Sequence, residues 1–147
     1  MAQLRGGASA PQLRGQVYFE AHPEGTLVTA SVWGLPESPT GFFGMHIHEG
    51  AGCGGQEFSE TGAHWDPGHL AHPLHAGDLP PLLSVDGTAW LSVLTGRFRV
   101  DQVVGHTVVI HGGADDFNSQ PGGNAGEKIA CGPIVPLMDK KIQSVDV

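Results

Sequence analysis

Gln16-Val17-Tyr18-Phe19-Glu20 and Leu27-Val28-Thr29-Ala30-Ser31-Val32-Trp33, with Pro23-Glu24-Gly25 between them, decide the fold class of this chain. Both runs are rich in β-branched and aromatic residues, which suit a pleated, half-buried surface, and the intervening Pro and Gly read as a turn. Further extended segments lie at Phe42 to His48, at Gly87 to Leu94 behind a Val85-Asp86-Gly87 turn, at His106 to His111 and at Ile129 to Val135. Asp-Gly between strands is a strong hairpin signal, because its backbone geometry matches the twist of paired strands. A short duplication, Gln3-Leu4-Arg5-Gly6 and Gln12-Leu13-Arg14-Gly15, reads as two strand edges. No window of a dozen residues keeps a helical period. An all-β chain is expected, with short strands closing into a sandwich or barrel.

The 147 residues fit a single domain, 1–147, with a core from about residue 4 to 135 and a tail, 139–147, that has no identifiable partner. Glycine (23) and proline (11) are abundant, which favours turns over long helices. The formal net charge of -8 repels polyanions, so neither nucleic acid nor an anionic membrane is an expected partner. No apolar run approaches the roughly 20 residues of a membrane span. Met1 to Arg14 lacks a hydrophobic core segment, so no signal peptide is expected there.

Two stretches, Glu49 to Pro81 and Gly112 to Lys128, are crowded with Gly, Pro, Asp, Asn and His and do not read as strands. Loops of that length are usually functional or disordered, and the polar chemistry they carry favours ordering by a metal or a disulfide. There are nine histidines against seven lysines and arginines together, and eight of the nine fall between His46 and His111. In a strand, residues two apart share a face, so His46 and His48 project to the same side. His106 and His111, five apart, face opposite sides, and only one of them can join that pair. The loop from His64 through His69, His72 and His75 to Asp78 brings four imidazoles and a carboxylate close in sequence. Three nitrogens and one oxygen suit a tetrahedral zinc ion. A lone histidine is more often a surface or hydrogen-bonded core residue, and His22 and His106 read that way. A cluster that respects strand parity reads as a metal site.

At this point the residues resemble a family. Gly44-Met45-His46-Ile47-His48-Glu49, His111 through Ala114-Asp115-Asp116, and Gly123-Asn124-Ala125-Gly126-Glu127-Lys128-Ile129-Ala130-Cys131-Gly132 are similar, in order, to motifs of the copper/zinc superoxide dismutases. The resemblance runs from about Leu4 to Val135. It implies an eight-stranded Greek-key β-barrel, an immunoglobulin-like sandwich with two long functional loops. It also implies copper held by His46, His48, His64 and His111, and zinc held by His64, His72, His75 and Asp78, with His64 bridging the two. The piece between His72 and His75 is shorter than usual, which leaves His69 as an alternative third zinc histidine. Asp115 matches a buried carboxylate that hydrogen-bonds one copper and one zinc histidine. Met45, which replaces a usual Phe, points away from the metals by strand parity and reads as core packing. Gly122 stands where many members carry a threonine, and Lys128 where they carry an arginine that guides the anionic substrate.

Cys53 and Cys131 fall at the family's disulfide positions, tying the first long loop to the last strand. A disulfide usually implies an oxidising compartment, but this family keeps the bridge in cytosol too, so cytoplasmic and secreted or periplasmic settings both remain open. The implied activity is dismutation of superoxide to dioxygen and hydrogen peroxide, with His64 leaving copper and taking a proton in one half of the cycle. Lys128 beside the copper keeps the substrate's approach locally positive in an acidic protein. A homodimer is compatible with this reading. The rival is a copper/zinc-binding module, such as a copper carrier, without significant turnover. A zinc hydrolase ranks last, because no spare Glu stands beside a three-ligand site.

Overall fold

The Gln16–Glu20 and Leu27–Trp33 runs form the long hairpin at the heart of the molecule. The structure, a computed structural model, describes residues 1–137, so the 139–147 tail lies outside the described residues. β1 (Ala2–Gly6) pairs with β2 (Arg14–His22), and β2 with β3 (Gly25–Trp33), whose two-residue turn leaves His22 opposite Gly25. Along both long strands burial alternates. Val17 and Phe19 on β2 and Val28, Ala30 and Val32 on β3 enter the core, while their neighbours face outward.

The remaining strands are β4 (Phe42–Phe43), β5 (Met45–His48), β6 (Leu82–Leu83), β7 (Ala89–Thr95), β8 (Thr107–His111) and β9 (Lys128–Pro133), with a single helical turn, α1 (Val100–Val103), before β8. Seven strands form one antiparallel sheet in the order β5-β8-β9-β1-β2-β3-β7, and β4 and β6 form a two-stranded ribbon. β4 runs through Gly44 into β5, at one edge of the sheet, while β6 lies against β7 at the other. The ribbon therefore joins the two edges of a curled sheet. The long connections from β3 to β5 and from β7 to β8 cross from one side of the sheet to the other, in Greek-key fashion.

The expected Phe42–His48 strand is broken at Gly44, because its first half pairs with β6 and its second with β8. Taken as one strand that changes partner, the count is the expected eight. Asp86 and Gly87 both have positive φ (52° and 80°), the signature of a type I′ turn, and Val85 and Thr88 close it with two backbone hydrogen bonds. Gln12 and Leu13 precede β2 instead of belonging to it, and Leu13 is a fully buried core residue.

β5 is buried on both faces, which an antiparallel edge strand rarely is. Met45 and Ile47 belong to the apolar core, so His46 and His48 face the opposite way. Thr107, Val109 and His111 on β8 share that outer side, since His46 opposes Val109 and His48 opposes Thr107. All five residues are buried, so something other than the barrel core covers them. The cover is supplied by the two long loops.

Candidate metal centre

Backbone hydrogen bonds dock the first loop on the free edge of β5. Ile47 N–H donates to Gly77 O and Trp65 N–H to Ile47 O, both at 2.8 Å, and Glu49 N–H donates to Ala63 O at 2.9 Å. This pairing sets His64 beside His48 and Asp78 beside His46. A Cβ at Gly77 would stand 2.3 Å from the Ile47 carbonyl oxygen, so only glycine lets the loop come this close.

His46, His48, His64 and His111 then present one ligand atom each, all within 4.8 Å of one another. The hydrogen bonds fix which nitrogen faces inward. His48 Nδ1–H donates to Gly62 O at 2.8 Å, and His111 Nδ1–H to Gly126 O at 3.1 Å. His46 Nε2–H donates to Asp115 Oδ2 at 2.8 Å, leaving its Nδ1 buried without a hydrogen-bond partner. The Nε2 atoms of His48 and His111 therefore face each other at 3.2 Å with lone pairs on both sides. Burial keeps these rings neutral, pushing His46 down to about 3, His48 to about 2 and His111 to about 4. Neutral rings aiming lone pairs into one enclosed space suit a cation, and all-imidazole donors suit copper.

The second cluster forms around Asp78. Nδ1 of His64 lies 2.9 Å from Asp78 Oδ1, and Nδ1 of both His72 and His75 lies 3.1 Å from Oδ2. Desolvation of the Asp78 carboxylate is outweighed by these partners, which hold its pKa down at about 2. His72 Nε2–H donates to Asp115 Oδ1 at 2.8 Å, so its Nδ1 turns a lone pair toward a carboxylate oxygen and makes no hydrogen bond there. Acceptor facing acceptor again calls for a cation, and three nitrogens with one oxygen fit zinc. Asp115 thus links the two groups, accepting from His46 and His72 and also from Phe117 N–H at 2.8 Å. His46, His64, His72 and Asp78 also present ligand atoms within 4.8 Å of one another, a grouping that takes in His46 and not His75, which joins the cluster through its own 3.1 Å contact with Asp78 Oδ2.

His75 stands in the Asp78 cluster, whereas His69 is exposed with a positive φ and lies outside it. His106 is also outside, packed on the Trp65 ring at 4.9 Å and donating Nδ1–H to Glu49 O. His22 is exposed and accepts from Glu24 N–H. Lys128 Nζ donates to Thr61 Oγ1 at 2.8 Å and to Gly62 O at 3.0 Å, the carbonyl that also holds His48. Its half-buried position lowers its pKa by desolvation. A Cβ at Gly122 would stand 3.1 Å from His64 Nε2, which places that position against the shared ring. Cys53 and Cys131 are joined in a disulfide closing a span of 78 residues, so the loop is stapled to β9.

Three contributors carry no sequence signal of their own. Gly123 was legible only as part of a motif; a Cβ there would meet Asp115 Oδ1 at 2.0 Å and His72 Nε2 at 2.6 Å. Arg97 and Gln120 bond backbone atoms of residues 72–75, contacts that only the folded chain creates.

Residues 13–134 match the family model described as copper/zinc superoxide dismutase. A Cu-Zn superoxide dismutase of Deinococcus radiodurans is 34% identical over 142 residues, covering 82% of this chain and 76% of that one. One from Haemophilus parainfluenzae is 38% identical over 138 residues, covering 82% and 72%. Among solved structures, the Cu/Zn superoxide dismutase from Brucella abortus superposes with a TM-score of 0.75 at 25% identity, over 90% of this chain and 97% of that one. A curled antiparallel sheet with histidines gathered on its outer face is the architecture of a metal-binding β-barrel. This chain belongs to the copper/zinc superoxide dismutase family.

Proposed function

We propose that this protein dismutes superoxide to dioxygen and hydrogen peroxide, with copper held by His46, His48, His64 and His111 and zinc by His64, His72, His75 and Asp78. The observation that carries the reading is that the two lone-pair clusters share one ring. His64 turns Nδ1 to Asp78, which leaves Nε2 for the His46, His48 and His111 group. Copper bound by these four histidines would supply a one-electron redox couple for the reaction. His64 Nε2 would be the atom placed to hold a proton for the product, because its Nδ1 is held on Asp78 Oδ1 at 2.9 Å. Asp115 fixes the orientation of His46 and His72 and raises their basicity as ligands. Lys128 supplies positive charge beside His48 and His111.

The test is metal analysis of purified protein together with a superoxide-consumption assay. One copper and one zinc per chain with catalytic consumption is expected. Two metals without turnover would favour the carrier reading. We also propose that the chain pairs as a homodimer through the β4–β6 ribbon, where the cross-strand partners Phe42 and Leu83 both stand exposed. Sedimentation of a Phe42→Ser/Leu83→Ser variant tests this: the parent should run as a dimer and the variant as a monomer, and a monomeric parent overturns it.

A further inference from the structure

Only Pro73 and Leu74 separate His72 from His75, and this short strap belongs to no strand or helix. Its backbone polar groups still need partners, since an unpaired buried amide or carbonyl is costly. Some partners are local. Leu74 N–H donates to Ala71 O at 2.8 Å, and His75 N–H to Asp78 Oδ2 at 3.0 Å. The rest come from two distant side chains. Gln120, in the loop after β8, accepts from His72 N–H at 2.9 Å and donates Nε2–H to His72 O at 2.8 Å. It thereby pairs with that residue as a neighbouring strand would. Gln120 Nε2 also donates to Asn118 O at 3.0 Å, which ties it to its own loop. Arg97, between β7 and α1, donates Nη1–H to Pro73 O at 2.8 Å and to His75 O at 3.1 Å. Among the described residues Arg97 makes no ion pair with a carboxylate, and both side-chain hydrogen bonds it donates, from Nη1, go to these two carbonyls. Within that same set, neither side chain is hydrogen-bonded to a ring or carboxylate of the proposed metal sites.

We propose that Arg97 and Gln120 are positioning residues for the zinc-side ligands, clamping the His72–His75 backbone so that both Nδ1 atoms stay on Asp78. The inference rests on the metal assignment proposed above. It explains how a trimmed loop without regular structure keeps two ligands in register: one clamp comes from the barrel and the other from the second long loop. A guanidinium suits the barrel-side clamp because it offers several donors in a fixed plane, whereas an ammonium does not.

The experiment uses metal-loaded protein and follows zinc and copper release to a chelator in the same sample, for Arg97→Ala, Arg97→Lys, Gln120→Ala and, as control, Thr26→Val. Thr26 donates its hydroxyl to Phe98 O at 2.8 Å, next to Arg97 but off the strap. Arg97→Ala and Gln120→Ala should each release zinc about 10-fold faster with copper release unchanged, in line with the usual loss when a ligand's support is removed. Arg97→Lys should recover only part of the difference. Thr26→Val should lower the unfolding temperature and leave zinc release at the parental rate. Parental zinc release from both alanine variants would overturn the clamp. So would zinc and copper release rising together in proportion to lost stability, as for any weakened fold. A parent protein that takes up no zinc overturns the metal assignment itself and the clamp with it, and stoichiometry measured first separates that failure from the others.

Discussion

Gly123 is the residue whose replacement the site tolerates least for its size. Its φ of 75° already disfavours a side chain, and an added methyl would overlap both Asp115 and His72. Gly123→Ala should break the Asp115 bridge and weaken zinc binding by about 10–100-fold, measured by chelator competition. Zinc affinity equal to that of the parent would show that the bridge is dispensable. His64 and His72 make a sharper pair. His64→Ala removes the shared ring and should disturb both metals, while His72→Ala should mainly release zinc. Elemental analysis and copper spectra of the two variants check this, and an unchanged copper spectrum in His64→Ala would refute the bridge. Lys128 donates two hydrogen bonds to the Thr61–Gly62 corner, which leaves one N–H for an approaching anion. Lys128→Arg should raise the superoxide rate, and Lys128→Glu should lower it further than Lys128→Gln.

β5 shows how much a few residues can say. Met45-His46-Ile47-His48 alternates core and site, and strand parity alone assigns each of the four to its face. His111 is harder, since parity separates it from His106 without choosing between them; pairing across β5 and β8 places His111 with His46 and His48, and His106 packs on Trp65. The break at Gly44 is not legible in the sequence, because it reflects a change of partner strand, and partners are not written in local sequence. The short β6 and the single turn α1 are invisible there for a similar reason, being too short to carry a period. The three-residue step to Asp78 favours His75 over His69, and the trimmed stretch after His72 is what keeps His69 as an alternative; the fold sets His75 Nδ1 3.1 Å from Asp78 Oδ2 and leaves His69 exposed. The Cys53–Cys131 bond joins that loop system to β9. Reducing it should cost about 2–5 kcal/mol of stability and loosen residues 49–62 first. Thiol titration under denaturing conditions checks that the bond is present, and hydrogen exchange of the reduced protein locates the loosening.

Across the whole molecule, the net charge of -8 opposes an anionic substrate, so attraction must come from the local field around Lys128 and a bound cation. The catalytic rate should fall as ionic strength rises, and the slope should shrink in Lys128→Gln; an identical slope would remove Lys128 from substrate guidance. Acid sensitivity follows from the buried rings. His46, His48 and His111 carry folded-state pKa values of about 3, 2 and 4, below the unfolded value near 6.5, so between those limits the unfolded chain binds more protons. The metal-free protein should therefore lose stability steadily as pH falls from about 6.5 toward 4, read from unfolding temperatures; a flat profile there would contradict the neutral, buried assignment. Asp78 acts in a lower window, its contribution being present above about 3.8 and lost as pH falls through about 2. Three of the four residues assigned to copper, His46, His48 and His111, stand on strands, while His72, His75 and Asp78 all stand on a loop. One group keeps its shape as long as the barrel does, and the other only while Arg97, Gln120 and the disulfide hold its loop down. Loosening those ties should therefore slow zinc capture far more than copper capture.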